Sequence, residues 1–411
     1  MINGKYNMTN QKYREFDRTE SIIHRWLAIR STPILIVQLL NLIEKSGLRW
    51  CCTFRGYQQV NRITRKHYII GLTLDFVGLL TIAKGFVVLF VSNSNVQMYL
   101  GDLFIGSSVH NIQTMMINML LLLACGLRYF GFYTERKGRV EPLTLYYRLK
   151  SSAINCEQFK LTPSHCSSMR KIFYIFGQFY LIVTPITCFA ISTWIIYAFY
   201  TNQINFSSTI SLLTTGLWTI VTCTIFTLGA YPTIWLYIHI SMIITFVTFS
   251  LASNQLFGKQ LIVDKDQTNE NGQSVKYLVQ QNKIYNFIYQ MTIGMGQVFC
   301  YGIIIVTGTG NFAMFVSLFI GTGSGLFDYF ILAVGCMSFN SIVIINMLSS
   351  FTANQALICQ KVNYQIGRHC KLDLKTQLKL LSTCERINIH RIGFSLGGLY
   401  TLDSYHFLLV S

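Results

Sequence analysis

The sequence predicts an all-α integral membrane protein, a bundle of six full transmembrane helices plus the start of a seventh, with a cytosolic amino terminus. Only 12% of the 411 residues are charged and 52% are hydrophobic, whereas about a quarter of the residues in a soluble domain are charged. Several apolar runs are longer than the roughly 20 residues that a transmembrane helix needs. The Lys and Arg residues gather in alternate segments between these runs, as they do on the cytosolic side of membranes.

The apolar runs define six predicted spans, which are residues 68–91, 109–130, 173–200, 223–251, 284–307 and 326–349. Before them, residues 1–67 form a basic cytosolic segment. After them, residues 350–391 form a second, anchor-like cytosolic segment, and residues 392–411 begin a seventh span. The predicted topology therefore places both long polar ends of the chain on the same side of the membrane.

Residues 208–252 allow two interpretations. They contain either two spans broken at Pro232 or one span, residues 223–251, preceded by an apolar outer loop. With one span, 31 of the 33 Lys and Arg residues fall in cytosolic segments; with two, both later basic segments would lie outside. The distribution of charge therefore favours one span.

The outer loops provide one candidate modification site. Residues 201–225 contain no Lys or Arg and include the sequon Asn205-Phe-Ser207. A sequon is usable only on the outer side of the membrane, so Asn205 is the predicted glycosylation site. The other sequon begins at Asn7, in the basic amino-terminal segment, and is expected to stay unmodified.

The placement of charge and of cysteine argues against a nucleic-acid partner and against a disulfide framework. The formal net charge of +17 would suggest nucleic acid in a soluble protein, but the cytosolic placement of Lys and Arg accounts for it here, and no nucleic-acid partner is expected. None of the 12 cysteines lies in a segment predicted to be outside, which predicts reduced thiols and no disulfide framework.

Metal and catalytic motifs are not recognised in the sequence. The spacing of His369, Cys370, Cys384 and His390 matches no common zinc pattern. No nucleotide-binding loop, metalloprotease motif or nucleophile elbow occurs. We therefore predict that the protein is not an enzyme and uses neither a metal nor another cofactor.

Aromatic and polar side chains concentrate in the outer halves of the predicted spans. Such side chains form interfacial belts in many membrane proteins, but a pocket for a small molecule uses the same residue types. Both interpretations stay open at this point. The candidate ligand-binding residues are His110, Gln113, Trp194, Tyr197, Trp218, Gln297, Tyr301, Asp328 and Tyr329.

Lys84 lies deep in the first predicted span, where an ammonium group is costly. Its side chain either snorkels to the interface or faces an acidic partner, for which the sequence offers Asp102 and Asp328. These two alternatives also stay open.

Two stretches resemble a known family. Residues 391–403, Arg-Ile-Gly-Phe-Ser-Leu-Gly-Gly-Leu-Tyr-Thr-Leu-Asp, are similar to the Phe-x-x-x-Gly-Leu-Phe-x-Leu-Asp approach to the last span of arthropod gustatory receptors. Residues 277–288 are similar to that family's Leu- and Asn-containing entry to the fifth span. The family belongs to the seven-span, inverted-topology chemoreceptors that include the insect odorant receptors, and the predicted topology agrees with it.

The resemblance implies a gustatory chemoreceptor subunit, that is, a ligand-gated, non-selective cation channel that detects small-molecule tastants. It implies a homo- or heterotetramer in the plasma membrane of a sensory neuron dendrite. It also implies a ligand pocket in the outer halves of the second to sixth spans and a pore lined by the last span. Gly397, Gly398 and Asp403 would then form the hinge that leads to the pore helix.

The sequence departs from this family after Asp403, because the family's Thr-Tyr…Gln-Phe signature does not follow. Residues 404–411 supply about 12 Å of helix, against roughly 30 Å of hydrocarbon. We therefore expect a truncated pore helix and a chain that does not conduct alone. A polytopic transporter with helices broken at Pro185 and Pro232 is the alternative interpretation.

Overall fold

The computed structural model describes residues 31–58, 63–139, 141–263, 270–321, 325–389, 395–396 and 400–401. The α-helices in these residues are α1 (Pro33–Arg49), α2 (Arg65–Phe90), α3 (Ser94–Tyr99), α4 (His110–Arg136), α5 (Thr144–Ser151), α6 (Pro163–Thr201), α7 (Thr209–Val263), α8 (Glu270–Phe315), α9 (Gly325–His369) and α10 (Leu374–Ile389). Two-residue strands, β1 (Ser395–Leu396) and β2 (Tyr400–Thr401), pair antiparallel.

Six helical stretches of the described residues are long and apolar enough to cross a bilayer, and they are Arg65–Phe90, His110–Arg136, Pro163–Thr201, Thr209–Val263, Cys300–Ile320 and Asp328–His369. The predicted all-α class with six long apolar helices is therefore confirmed. The side of the membrane on which the amino terminus lies stays a prediction. The predicted start of a seventh span lies, apart from the two strands, outside the described residues.

The centre of the bundle is α7, a continuous helix of 55 residues that contains Pro232. At 1.5 Å per residue it is about 82 Å long. It packs against α1, α2, α3, α4, α6, α8 and α9. The proline does not divide it into two helices.

The predicted outer loop before the fourth span is wrong in its secondary structure, because α7 already begins at Thr209. Residues 209–222 are apolar apart from hydroxyl side chains, and those hydroxyls bond within the helix: that of Thr219 donates to the Thr215 carbonyl at 2.7 Å. A helix satisfies its own backbone groups, whereas an apolar loop beside lipid would not.

Gly308 and Gly310 also behave differently from the prediction, which ended the fifth span at residue 307. Both lie inside α8, which continues to Phe315 and then into a π-helical turn, Val316–Ile320. A Cβ on Gly310 would lie only 2.8 Å from the Cβ of Ser338. Here glycine permits α8 and α9 to approach closely instead of forming a turn.

Helix α1, the first in the described residues, is amphipathic and starts with Pro33 in its first turn, where a missing N–H costs nothing. Ile36, Leu40 and Ile43 are fully buried in the main apolar core. The helix packs against α5 and α6. Burial of this apolar face fixes α1 to one end of the bundle.

The chain between α1 and α2, residues 50–58, is held by two carboxylates, and we call it the docking segment. Glu135 at the end of α4 accepts hydrogen bonds from the backbone N–H groups of Phe54 and Arg55, at 3.0 and 2.9 Å, and from the Thr53 hydroxyl at 2.8 Å. Glu44 accepts from the N–H of Tyr57 at 2.8 Å. The docking segment has no regular secondary structure, and these hydrogen bonds attach it to two helices, α1 and α4.

Cys156 and Cys166 are paired in a disulfide, with their Cα atoms 5.8 Å apart. The expectation that all cysteines are reduced is therefore wrong at this pair. The chain turns sharply between them, with φ of +52° at Lys160, and so returns to the first turn of α6. The other described cysteines are free.

Candidate functional site

A cavity of about 210 Å³ with mainly apolar walls lies between α4, α6, α7, α8 and α9. We call it the apolar cavity. Its walls are mainly aliphatic and aromatic side chains, among them Leu120, Leu123, Leu127, Phe179, Ile191, Phe226, Ile240, Ile303, Val306, Val334 and Ile345. Five helices that each contribute a few side chains to one space are a common way to build a small-molecule site.

Small residues set the helix spacing around this cavity. A Cβ on Gly229 of α7 would lie 2.5 Å from the Cβ of Ala124 on α4, so these two backbones are nearly in contact. On α8, a Cβ at Gly302 would lie 3.3 Å from the Leu127 side chain. Ala124 and Gly302 both line the cavity. The helices therefore meet tightly at small residues and stand apart beside them.

The polar groups that line the cavity are hydroxyls, carried by Thr187, Thr233, Tyr237, Ser338 and Ser341. Three of these donate to carbonyls of their own helices: Thr233 to Gly229 at 2.9 Å, Ser338 to Val334 at 2.9 Å, and Ser341 to Met337 at 2.8 Å. Their oxygen atoms keep lone pairs but have no hydrogen left to give. The residues that line this cavity in the described part of the chain include no charged side chain.

The sequence-predicted ligand residues lie elsewhere. The structure describes the side chains of eight of the nine, and none of these eight lines the apolar cavity. Gln297 lies in α8, but its side chain is outside the described part of the molecule. The sequence could not single out the cavity, because its aliphatic walls look like any other helix core.

His110 and Gln113 lie in the first turn of α4. The Nε2 atom of His110 is 2.5 Å from a carboxylate oxygen of Asp102, and its Nδ1 is 2.9 Å from the Oδ1 of Asn111. Gln113 is half-buried. This end of α4 is therefore a polar cluster and not part of the apolar cavity.

The aromatic candidates fall into two groups. Trp194 is buried and stacks on Phe104, with ring centroids 6.0 Å apart. Tyr197 and Tyr329 are mostly exposed on the outside of the bundle. Tyr301 is half-exposed and stacks on Phe130 at 4.5 Å. The exposed tyrosines are typical of an aromatic belt at a membrane interface.

Trp218 and Asp328, the last two of the predicted ligand residues, each contact a neighbouring part of the chain. The Trp218 ring lies 5.0 Å from the ammonium of Lys84, which also donates to the Gly101 carbonyl at 2.8 Å. The backbone carbonyl of Asp328 accepts a hydrogen bond from the Ser317 hydroxyl at 2.8 Å. Of the two acids that the sequence offered to Lys84, Asp102 lines a small cavity that Lys84 also lines.

Asp75 and Arg128 form an ion pair that the sequence did not predict. Their side chains approach to 2.8 Å between α2 and α4, and the Arg128 guanidinium also donates to the Gly71 carbonyl at 3.1 Å. The two residues are far apart in the chain, so only the packing of α2 on α4 brings them together. The pair neutralises two charges within apolar helices.

Asn205 is fully buried, and its side-chain nitrogen donates to the Phe199 carbonyl at 3.0 Å. A glycosylated asparagine must present this nitrogen to solvent, so the fold does not support the predicted modification site. Local packing explains the difference, because the short helical turn Gln203–Phe206 folds back onto the end of α6. The predicted hinge residues Gly397, Gly398 and Asp403 lie outside the described residues.

No protein-family model and no curated protein matches the sequence. A solved structure does match the fold. It is the insect olfactory receptor OR5 from Machilis hrabei, which aligns with a TM-score of 0.60 and 11% identity over 84% of this chain and 86% of that receptor. The chain has the fold of an insect olfactory receptor. This insect-receptor fold agrees with the chemoreceptor fold that the sequence resemblance implies.

Proposed function

We propose that the protein is a chemoreceptor subunit that forms a ligand-gated, non-selective cation channel and that detects small molecules in the apolar cavity. The observation that carries the proposal is the presence of this cavity between five helices of an insect-receptor fold. The channel activity comes from the sequence resemblance at residues 391–403. In this proposal the subunit works in the plasma membrane as a homo- or heterotetramer.

The cavity indicates the class of ligand. An apolar molecule that buries about 200 Å² of surface gains roughly 5 kcal/mol from the hydrophobic effect. A sugar has many hydroxyls that need partners, and each unpaired buried polar group costs about 1–3 kcal/mol. The few hydroxyls of the cavity cannot supply those partners. We therefore propose a small, largely apolar ligand.

The hydroxyls of the cavity refine this class. Thr233, Ser338 and Ser341 already donate their hydrogens to helix carbonyls, so they offer lone pairs to a ligand. A ligand with one O–H donor, such as an alcohol or a phenol, complements them better than an ether of the same shape. Sequence similarity to gustatory receptors makes such a molecule a tastant, and the match to an olfactory receptor makes an odorant an equal candidate.

A transporter remains the second interpretation of the sequence, but the helices do not favour it. Transporter sites are commonly formed by helices that break near the middle of the membrane. Pro185 and Pro232, which suggested such breaks, both lie inside continuous helices, α6 and α7.

The topology with a cytosolic amino terminus remains part of the receptor proposal. An epitope at Met1 is expected to become accessible to antibody only after the cells are permeabilised.

Binding tests the site separately from conduction. The purified chain is titrated with matched alcohols and ethers, with a sugar series for comparison, and thermal unfolding is followed. The alcohols are expected to raise the unfolding midpoint saturably, because a ligand that binds only the folded state stabilises it. The Thr187→Phe variant fills the cavity from α6 and is expected to weaken binding at least tenfold.

Ile186→Phe is the matched control, because Ile186 is the adjacent residue and is 60% exposed on the bundle surface. It is expected to bind as the unmodified chain does. Equal binding by both variants would contradict the assignment of the site to this cavity. Agonist-evoked cation current in cells that co-express the chain with other receptor subunits then tests the channel, and substrate uptake without current would support a transporter instead.

A further inference from the structure

A second, small cavity lies between α2, α4 and α7 and is lined by polar groups. Its volume is about 30 Å³, which is enough for one or two particles the size of water. It shares no lining residue with the apolar cavity. Its polar side chains are Thr81, Lys84, Asp102, Thr114, Asn118 and Thr222. We call it the polar cavity.

Lys84 brings a positive charge to this cavity. Its ammonium donates to the carbonyl of Gly101 at 2.8 Å and lies 5.0 Å from the Trp218 ring centroid. Gly101 has a φ of +65°, and a Cβ there would lie 2.6 Å from the Trp218 ring, so the position requires glycine. In the described part of the chain, no carboxylate lies within 4 Å of this ammonium.

Asp102 lines the same cavity, but its carboxylate is already engaged. Its Oδ1 atom accepts from the backbone N–H of Phe104 at 3.1 Å, and its Oδ2 lies 2.5 Å from His110 Nε2. Both oxygen atoms therefore have partners, which reduces what they can offer to a cation in the cavity. The Thr81 hydroxyl likewise donates to the Val77 carbonyl, at 2.7 Å.

Two buried donors complete the lining. Asn118 is 2% exposed and Thr114 is 6% exposed, and neither the Nδ2 of Asn118 nor the Thr114 hydroxyl has a hydrogen-bond partner among the described residues. The Asn118 amide packs on Gly85, where a Cβ would lie 2.6 Å from its Cγ. Buried donors without partners are costly, so their presence indicates an acceptor in the cavity.

We propose that the polar cavity binds a single halide ion, with chloride as the physiological candidate. The ammonium of Lys84 supplies the charge, and Asn118 and Thr114 supply hydrogen bonds. A halide accepts from several donors at once and needs no donor of its own, which is the balance that these three side chains offer. A cation is disfavoured, because the ammonium already occupies the positive position.

The test uses the purified full chain, with thermal unfolding measured in sodium chloride, sodium bromide and sodium gluconate at constant ionic strength. Chloride and bromide are expected to raise the unfolding midpoint saturably over gluconate, because a bound ion stabilises the folded state. Asn118→Leu and Thr114→Val each remove a donor at similar size and are expected to weaken halide affinity about tenfold.

Thr224→Val is the matched control, because Thr224 is an exposed hydroxyl on α7 that donates only to its own helix. It is expected to keep the full halide response, and a general salt effect would shift every variant alike. Equal midpoints in chloride and gluconate for the unmodified chain would overturn the proposal and assign the cavity to water. This result needs no variant and does not depend on the ligand of the apolar cavity.

Discussion

The apolar cavity and the docking segment lie beside the same part of α7 but satisfy their polar groups in opposite ways. Around the cavity, three of the five hydroxyls, those of Thr233, Ser338 and Ser341, donate to carbonyls of their own helices. In the docking segment, Glu135 and Glu44 bond to backbone groups that are distant in sequence. The helix spacing around the cavity can change without breaking these three hydrogen bonds, whereas the docking segment cannot move without breaking its bonds to Glu135 and Glu44.

We therefore expect resistance to changes in helix spacing to depend more on hydrogen bonds between elements than on apolar burial. Both regions are well buried, but only the docking segment has acceptors whose loss would leave several donors unpaired. A site that must admit a ligand benefits from helices that are joined mainly by dispersion and by close contacts at small residues. Substitutions that remove one hydrogen bond or one close helix contact at a time can test this contrast.

The largest effect is expected from Glu135→Ala. The change leaves three donors of the docking segment without their acceptor, together with the Arg55 side chain, which lies 3.7 Å from the carboxylate. Loss of one partner in such a buried network costs about 3–5 kcal/mol. Denaturation of the purified chain measures the difference. Glu157→Ala, at an exposed position, is expected to change stability by less than about 0.5 kcal/mol, and equal losses would contradict the contrast.

A glycine pair on α7 tests the close contact beside the cavity. Gly229→Ala places a Cβ 2.5 Å from that of Ala124 and forces α4 and α7 apart, at a cost of about 1–3 kcal/mol. Gly216→Ala has only a carbon of Phe199 nearby, at 3.9 Å, and is expected to stabilise the helix by about 0.5–1 kcal/mol. Thermal unfolding should therefore separate the two variants in sign, and a gain at both positions would show that α4 and α7 are not tightly packed.

The smallest effect is expected from Tyr57→Phe. Burial raises the pKa of the Tyr57 hydroxyl well above its usual value, so it stays protonated and donates to the Nε2 of His239 at 2.8 Å. Its loss leaves a buried imidazole nitrogen unpaired and costs about 1–2 kcal/mol. Tyr147→Phe, at a 43% exposed position, serves as the control in the same unfolding assay. Equal stabilities of the two variants would show that the hydrogen bond from Tyr57 to His239 does not stabilise the fold.

The sequence predicts the fold well, because hydropathy and charge distribution act over whole segments. Six apolar runs with basic segments between them are enough to give six long helices. The errors come where local signals have two physical causes. Glycines at 308 and 310 are typical of a turn, but a glycine also permits close helix packing, and at Gly310 only the neighbouring helix α9 decides between the two.

The candidate sites could not be predicted in the same way. Aromatic and polar residues in the outer halves of the spans are typical of a small-molecule pocket, yet most of the candidates lie on the outside of the bundle or in polar clusters. The apolar cavity is made from common residues such as Leu123 and Val306, whose role depends on packing across five helices. Lys84 was recognisable as unusual from the sequence, but its Gly101 and Trp218 partners were not.

A rotation of α7 would displace Tyr237 and His239 together. They are two residues apart on α7, so their side chains project about 200° from each other, one into the apolar cavity and one towards Tyr57. A turn of about 20° around the helix axis moves an atom 5 Å from that axis by roughly 2 Å. That is enough to break the 2.8 Å bond to Tyr57. An occupant of the apolar cavity that rotates α7 by this amount is therefore expected to change the hydrogen bonding of the His239 imidazole on the opposite face.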